Sequence, residues 1–299
     1  MAECGDALGI AVRAPLSDGG LVCPGLDLGG STANAFSLHG KVAVVTGALG
    51  PLGRRHCRAL AEAGANVVAC DVDGEESWAL ADELPTASVG FGVNVTDPHS
   101  IRTMLELALL EFDRVDVLVN NCVAGGAVKM PALTAEQARF ENYPLALWRE
   151  SLETSATGAF LCAQIIGARM ARQGGGSIVN VVSSCAAEGA ADSAAGGRGG
   201  GGGSPACSAA KGAIVALTRY LAAYWAEANV RVNALSPASL ENGHDACFVT
   251  NCAANCALGL EAGATDSGAA VVFLASDAST YVTGASLLVD GVVMLRATD

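Results

Sequence analysis

Short apolar runs alternating with helix-length stretches set the frame for this chain from residue 41 onward. KVAVVT (41–46), NVVAC (66–70), VDVLVN (115–120), SIVNVVS (177–183), VRVNAL (230–235) and ASLLVD (285–290) read as strands, with a shorter one at 88–91. Between them the pattern predicts helices near 53–63, 75–84, 98–111, 145–172, 206–227 and 266–276. Strands apolar on both faces lack the in-and-out alternation of a half-exposed sheet, so both faces must be covered. Repeated β–α units with such strands predict an α/β fold, a Rossmann-type doubly wound parallel sheet in three α/β/α layers. Sheets of this kind hold ligands beyond the carboxyl ends of their strands, and the chemistry is expected there.

The first strand runs into TGALGPLG (46–53), where Gly47, Gly50 and Gly53 open directly into a helix. Glycine suits a tight turn that must let a pyrophosphate approach the backbone, and the helix N-terminus then offers unpaired N–H groups to the anion. Pro51 is compatible with the first turn of a helix. The second strand ends at Asp71, 18 residues after Gly53. A carboxylate there accepts hydrogen bonds from ribose hydroxyls and repels a 2′-phosphate, which favours NAD over NADP.

Composition removes several other classes. Formal net charge is −13 and the chain has three lysines, Lys41, Lys129 and Lys211, so it lacks the basic footprint of a protein that binds nucleic acid or anionic membrane. No apolar run reaches the ~18–20 residues of a membrane helix. The eleven cysteines are scattered, form no CxxC pair and follow no secretory signal, which argues against a disulfide scaffold. His244, Cys247, Cys252 and Cys256 are the nearest approach to a metal set, but their spacing matches no standard structural zinc pattern, and no metal is expected. Residues 1–38 are rich in Gly, Ala and Ser and carry one basic residue, Arg13; they read as a flexible leader rather than a targeting segment, and a cytoplasmic location is expected.

TGALGPLG, NVTD (94–97), DVLVNN (116–121), TGAFL (157–161), SIVNVVSS (177–184), SAAKGAIVALTRYLA (208–222), VRVNALSP (230–237) and VVFLASDASTYVTGASLLVDG (271–291) together resemble the short-chain dehydrogenase/reductase family. The match runs in the family's order over about residues 38 to 292. The resemblance implies one Rossmann domain over 39–292 with a substrate lobe near 238–264, and a tail at 293–299. It implies hydride transfer between a nicotinamide and an alcohol or carbonyl carbon of a small polar substrate such as a sugar or polyol. Cofactor contacts would come from Gly47, Gly50, Leu52, Gly53, Asp71, Asn94, Val95, Asn121 and Lys211. Assembly as a homodimer or homotetramer through the two long helices and the last strand is likewise implied.

The family's catalytic positions carry over unevenly. Ser183 falls on the serine that orients the carbonyl oxygen, and Lys211 on the lysine that lowers the acid's pKa and holds the nicotinamide ribose. The tyrosine that serves as general acid/base is Cys207, and the asparagine that anchors a relay water is Ser155. NNAG reads NNCV, with Val123 in place of glycine, and the aspartate before VTD is Asn94. A cysteine thiol falls about 4 Å short of a phenolic oxygen, whereas proton transfer needs contact at ~2.6–3.2 Å or a bridging water. Loss of the acid alone costs about 10²–10⁴-fold in rate, so turnover is expected to be weak or absent. The alternatives are a thiolate nucleophile or redox centre at Cys207, and a non-catalytic subunit that assembles with an active relative. The glycine run at 196–203 supplies almost no side chains from which to read a substrate.

Overall fold

The computed structural model describes residues 32–122, 133–134, 136–137, 139–182, 204–237 and 266–290. Seven strands form one sheet: β1 (Val42–Thr46), β2 (Asn66–Asp71), β3 (Val89–Gly92), β4 (Val117–Asn120), β5 (Gly176–Val181), β6 (Val230–Pro237) and β7 (Ser286–Val289). Their order is β3-β2-β1-β4-β5-β6-β7, with every pair parallel. The chain reverses its direction of travel across the sheet between β1 and β4, and a crevice opens at the carboxyl ends of strands on either side of such a switch.

Alternate residues of each strand feed opposite cores. Val42 and Val44 of β1 join Val68, Leu118, Ile178 and Val232 on one face, whereas Ala43 and Val45 join Val67, Val119, Val179 and Leu235 on the other. The first face is covered by α3 (Pro98–Phe112), α4 (145–173) and α5 (Pro205–Tyr224), through side chains such as Met104, Ile166 and Leu221. The second is covered by α1 (Pro51–Glu62), α2 (Gly74–Asp82) and α6 (Asp266–Ala275), through Leu60, Leu80 and Leu274. Two-sided burial is the physical reason the central strands are mainly apolar on both faces, whereas the edge strand β7 is partly exposed.

Helix starts carry their own signals. Asp73 caps α2 by accepting the Glu76 N–H at 3.0 Å, and Ser204 caps α5 by accepting the Cys207 N–H at 3.1 Å, with Pro205 at the first helical position. Two corrections to the sequence reading concern the long helices. The helix expected near 206–227 ends at Tyr224 and passes into a 3₁₀ turn, Ala226–Ala228, closed by Asn229 in the left-handed region. The helix expected near 145–172 contains two wide-turn π segments, Leu152–Thr157 and Ala163–Gly167. Among the described residues, no helix is long and apolar enough to cross a membrane.

Candidate functional site

Three glycines at the end of β1 are glycine for three different reasons. Gly47 has φ +63°, and a Cβ there would stand 3.0 Å from the Asn121 carbonyl oxygen, so both conformation and crowding exclude a side chain. A Cβ on Gly53 would lie 2.0 Å from the Gly47 carbonyl oxygen, because α1 packs directly on the turn. Gly50, the N-cap of α1, has an ordinary φ of −65°, and among the described residues its Cβ would meet nothing closer than 3.5 Å. Among the described residues, no contact requires glycine at position 50. Pro51 has no N–H, so the first-turn donors left without a helical partner are those of Leu52 and Gly53.

The turn is latched from both neighbouring strands. Asn121, just past β4, donates its N–H to Thr46 Oγ1 at 3.2 Å and its side-chain amide to the Gly47 carbonyl at 3.0 Å. Asp71, at the end of β2, is buried; its carboxylate accepts the Leu49 N–H at 3.0 Å and the Val72 N–H at 2.8 Å. A carboxylate has about four acceptor sites, so two remain for ribose hydroxyls. Asn94 is exposed, and its Oδ1 accepts both the N–H and the hydroxyl of Thr96 in a local turn. Val95 is buried against Gly158 of α4, and Leu52 is partly buried against the core beneath α1.

The catalytic positions lie on the other side of the switch point. Lys211 is 3% exposed, and its Nζ donates to the carbonyl of Val181, the last residue of β5, at 2.9 Å. Burial pulls the ammonium below the ordinary lysine pKa, while the sulfurs of Cys207 and Cys122 beside it act in the opposite direction. Cys207 sits in the first turn of α5, one helical turn before Lys211, so the two share a face. Ser155 is buried in the first π segment of α4, which packs against α5; its hydroxyl makes no hydrogen bond to another described residue. Ser183, Val123, the glycine run, the lobe at 238–264 and the cysteine–histidine set at 244–256 lie outside the described residues. No group of three or more metal-ligating side chains occurs among the described residues.

Two features went unnoticed in the sequence. Cys122, beside Val123, lies in contact with Thr46 and Gly47 and close to Asp71 and Lys211. Burial, with the Asp71 carboxylate nearby, pushes its thiol up to about 12, so it is a neutral lining group at neutral pH. A buried polar chain also runs beneath the site. Asn120 Nδ2 donates to Asn180 Oδ1 at 2.9 Å, Asn180 Nδ2 to Thr218 Oγ1 at 2.9 Å, and Thr218 Oγ1 to the Ile214 carbonyl at 2.8 Å. It fastens α5 to β4 and β5, and with it the register of Lys211 over Val181. The only signal for it was a set of polar residues at positions where strands and a helix should be apolar.

A family profile described as enoyl-(acyl carrier protein) reductase matches residues 47–292. The chain belongs to the short-chain dehydrogenase/reductase family. It is 37% identical over 264 residues to a D-threitol dehydrogenase of Mycolicibacterium smegmatis, covering 86% of this chain and 94% of that one. To an NAD-dependent glycerol dehydrogenase of Listeria innocua it is 32% identical over 262 residues, again covering 86% and 94%. Among solved structures, a short-chain type dehydrogenase/reductase from Mycobacterium marinum superimposes with a TM-score of 0.76 at 26% identity, covering 89% of this chain and all of that one. The family is one of oxidoreductases that use nicotinamide dinucleotides, and the parallel seven-strand order seen here is its Rossmann-type sheet.

Proposed function

We propose that this chain binds NAD(H) across the carboxyl ends of β1, β2 and β4, and that hydride transfer with polyol-like alcohols is slow or lost because Cys207 stands at the acid/base position. The observation that carries the binding half is Gly50, a glycine that no contact among the described residues requires, at the mouth of a turn built from Gly47 and Gly53. Leu52 and Gly53 would donate N–H groups to the pyrophosphate, Asp71 would take the ribose hydroxyls, and Asn94, Val95, Asn121 and Lys211 would line the remainder. Asp71 favours NAD over NADP through charge. When bound, the cofactor supplies the hydride acceptor or donor for alcohol/carbonyl interconversion.

The chain's own groups supply the rest. Lys211, held by Val181, places its buried amine beside Cys207 and would grip the nicotinamide ribose. Ser183 would orient the substrate oxygen. Ser155, shorter than the asparagine of the family, would have to hold the relay water from a greater distance. Polyol substrates are supported by likeness to the threitol and glycerol dehydrogenases. The catalytic domain is taken as 39–292, flanked by a leader and a tail, in the cytoplasm, where buried thiols such as Cys57 and Cys162 stay reduced.

A second reading is favoured by the exposed aromatics of the long helices. Tyr220 and Tyr224 of α5 stack on each other at 6.0 Å while 64% and 66% exposed, and Phe160 of α4 is 44% exposed. Such surface on α4 and α5 suits a homodimer or homotetramer, or a hetero-oligomer in which this chain is the non-catalytic subunit. Calorimetric titration with NADH and NADPH tests the first reading. Micromolar NADH binding with weaker NADPH binding is expected; binding of neither would sink it and leave the subunit role.

A further inference from the structure

The ribose end of the proposed cofactor site is closed by a ring of interactions that reaches beyond Asp71. Leu49 is gripped from both of its peptide groups: its N–H goes to Asp71 Oδ2 at 3.0 Å, and its carbonyl accepts from Arg54 Nε at 3.1 Å. Arg54 Nη2 then forms an ion pair with Glu76 Oε1. The Glu76 N–H returns to Asp73 Oδ1 at 3.0 Å, two residues from Asp71. One guanidinium, on the first turn of α1, is thereby tied through Leu49 to the very carboxylate that reads the ribose. The opposing wall, from 71 to 76, carries Asp71, Asp73, Glu75 and Glu76.

This arrangement bears on the choice between two cofactors that differ by one group. A 2′-phosphate brings about −1.5 to −2 charges and three strong acceptor oxygens, and a guanidinium is the side chain best shaped to receive it. Arg54 is such a group at the right end of the site, and Glu76 occupies it. The pair contributes little to the fold, since its side chains are 41% and 55% exposed and water screens it. Its consequence lies in what it denies to a ligand.

We propose that Glu76 is a second determinant of NAD over NADP selectivity, acting by locking Arg54 in an ion pair across the ribose end of the site. Asp71 repels the 2′-phosphate directly; Glu76 withholds the cation that would otherwise compensate. The proposal rests on the cofactor reading above, and its test separates the two.

Full-length wild-type chain, Glu76→Gln and the double variant Glu76→Gln/Arg54→Gln are titrated with NADPH and with NADH at one fixed ionic strength, with thermal midpoints as a folding control. Glu76→Gln is expected to tighten NADPH about tenfold, the scale of one charge-assisted hydrogen bond, and to leave NADH within about twofold. The double variant should lose that gain. Equal tightening of both dinucleotides, no change in NADPH, or a gain that survives removal of Arg54 would overturn the lock, because each points to bulk charge or to no role for Glu76. A wild-type chain that binds neither dinucleotide would overturn the cofactor reading and this inference together. Wild-type binding of NADH with an unresponsive Glu76→Gln overturns the inference alone.

Discussion

Alanine placed at Gly50 and at Gly53, three residues apart in the same turn, should damage two different properties. At Gly53 the new methyl would lie 2.0 Å from the Gly47 carbonyl oxygen and 2.8 Å from Ala48 backbone atoms, distances no side-chain adjustment can relieve. Helix α1 must move off the turn, a loss of about 1–3 kcal/mol for overpacking, with more if the backbone latch to Asn121 breaks as well. At Gly50 the backbone (φ −65°, ψ 158°) is open to any residue, and the nearest atom among the described residues is 3.5 Å from the added methyl. Stability should change there by less than about 1 kcal/mol, the scale of an N-cap exchange. The same methyl would stand where the pyrophosphate must approach, pushing it off the Leu52 and Gly53 N–H groups. Losing two charge-assisted hydrogen bonds costs about 3 kcal/mol, or about a hundredfold in NADH affinity. Urea unfolding followed by circular dichroism, paired with NADH calorimetry on each variant, reads both quantities. Wild-type NADH affinity in Gly50→Ala, or destabilisation there as large as in Gly53→Ala, would refute the division of labour.

Two further outcomes concern the scaffold. His56, on the buried face of α1, has no hydrogen-bond partner at either ring nitrogen among the described residues, and burial together with Arg55 lowers its pKa from 6.5 to about 4. The unfolded chain therefore takes up the proton first. Stability should fall as pH drops from about 6.5 to about 4, by about 3 kcal/mol in full, and His56→Leu should flatten that part of the pH profile of urea unfolding. Thr218→Val leaves the buried Asn180 amide without its acceptor and should cost about 1–3 kcal/mol in the same assay, with Thr218→Ser recovering most of it.

The sequence was most informative where a single physical rule governs a whole element. Every strand was visible because its run is mainly apolar on both faces, and its ends fell within two or three residues of that run. The glycine turn was visible as a pattern, but the separate reasons for Gly47, Gly50 and Gly53 needed the positions of Asn121 and Ala48. The π segments of α4 were hidden because one extra residue per turn barely alters a 3.6-residue period over a run already rich in small side chains. Cys122 carries no local signal of a lining role, since only the pairing of β4 with β1 brings it to the Gly47 turn. The Arg54–Glu76 pair joins residues 22 apart on two helices, and nothing local announces it.

Cys207 at the acid/base position is proposed as the main limit on turnover, ahead of the other replaced positions, Ser155 and Val123. This claim is tested most directly by the steady-state rate of NAD reduction by Cys207→Tyr against the wild-type chain, over a polyol panel that includes D-threitol and glycerol. A phenol one helical turn before Lys211 regains the reach the thiol lacks, and the rate should rise by about 10²-fold or more. A Cys207→Tyr chain that still binds NADH but turns over no faster than wild type would contradict the claim and place the defect elsewhere in the site.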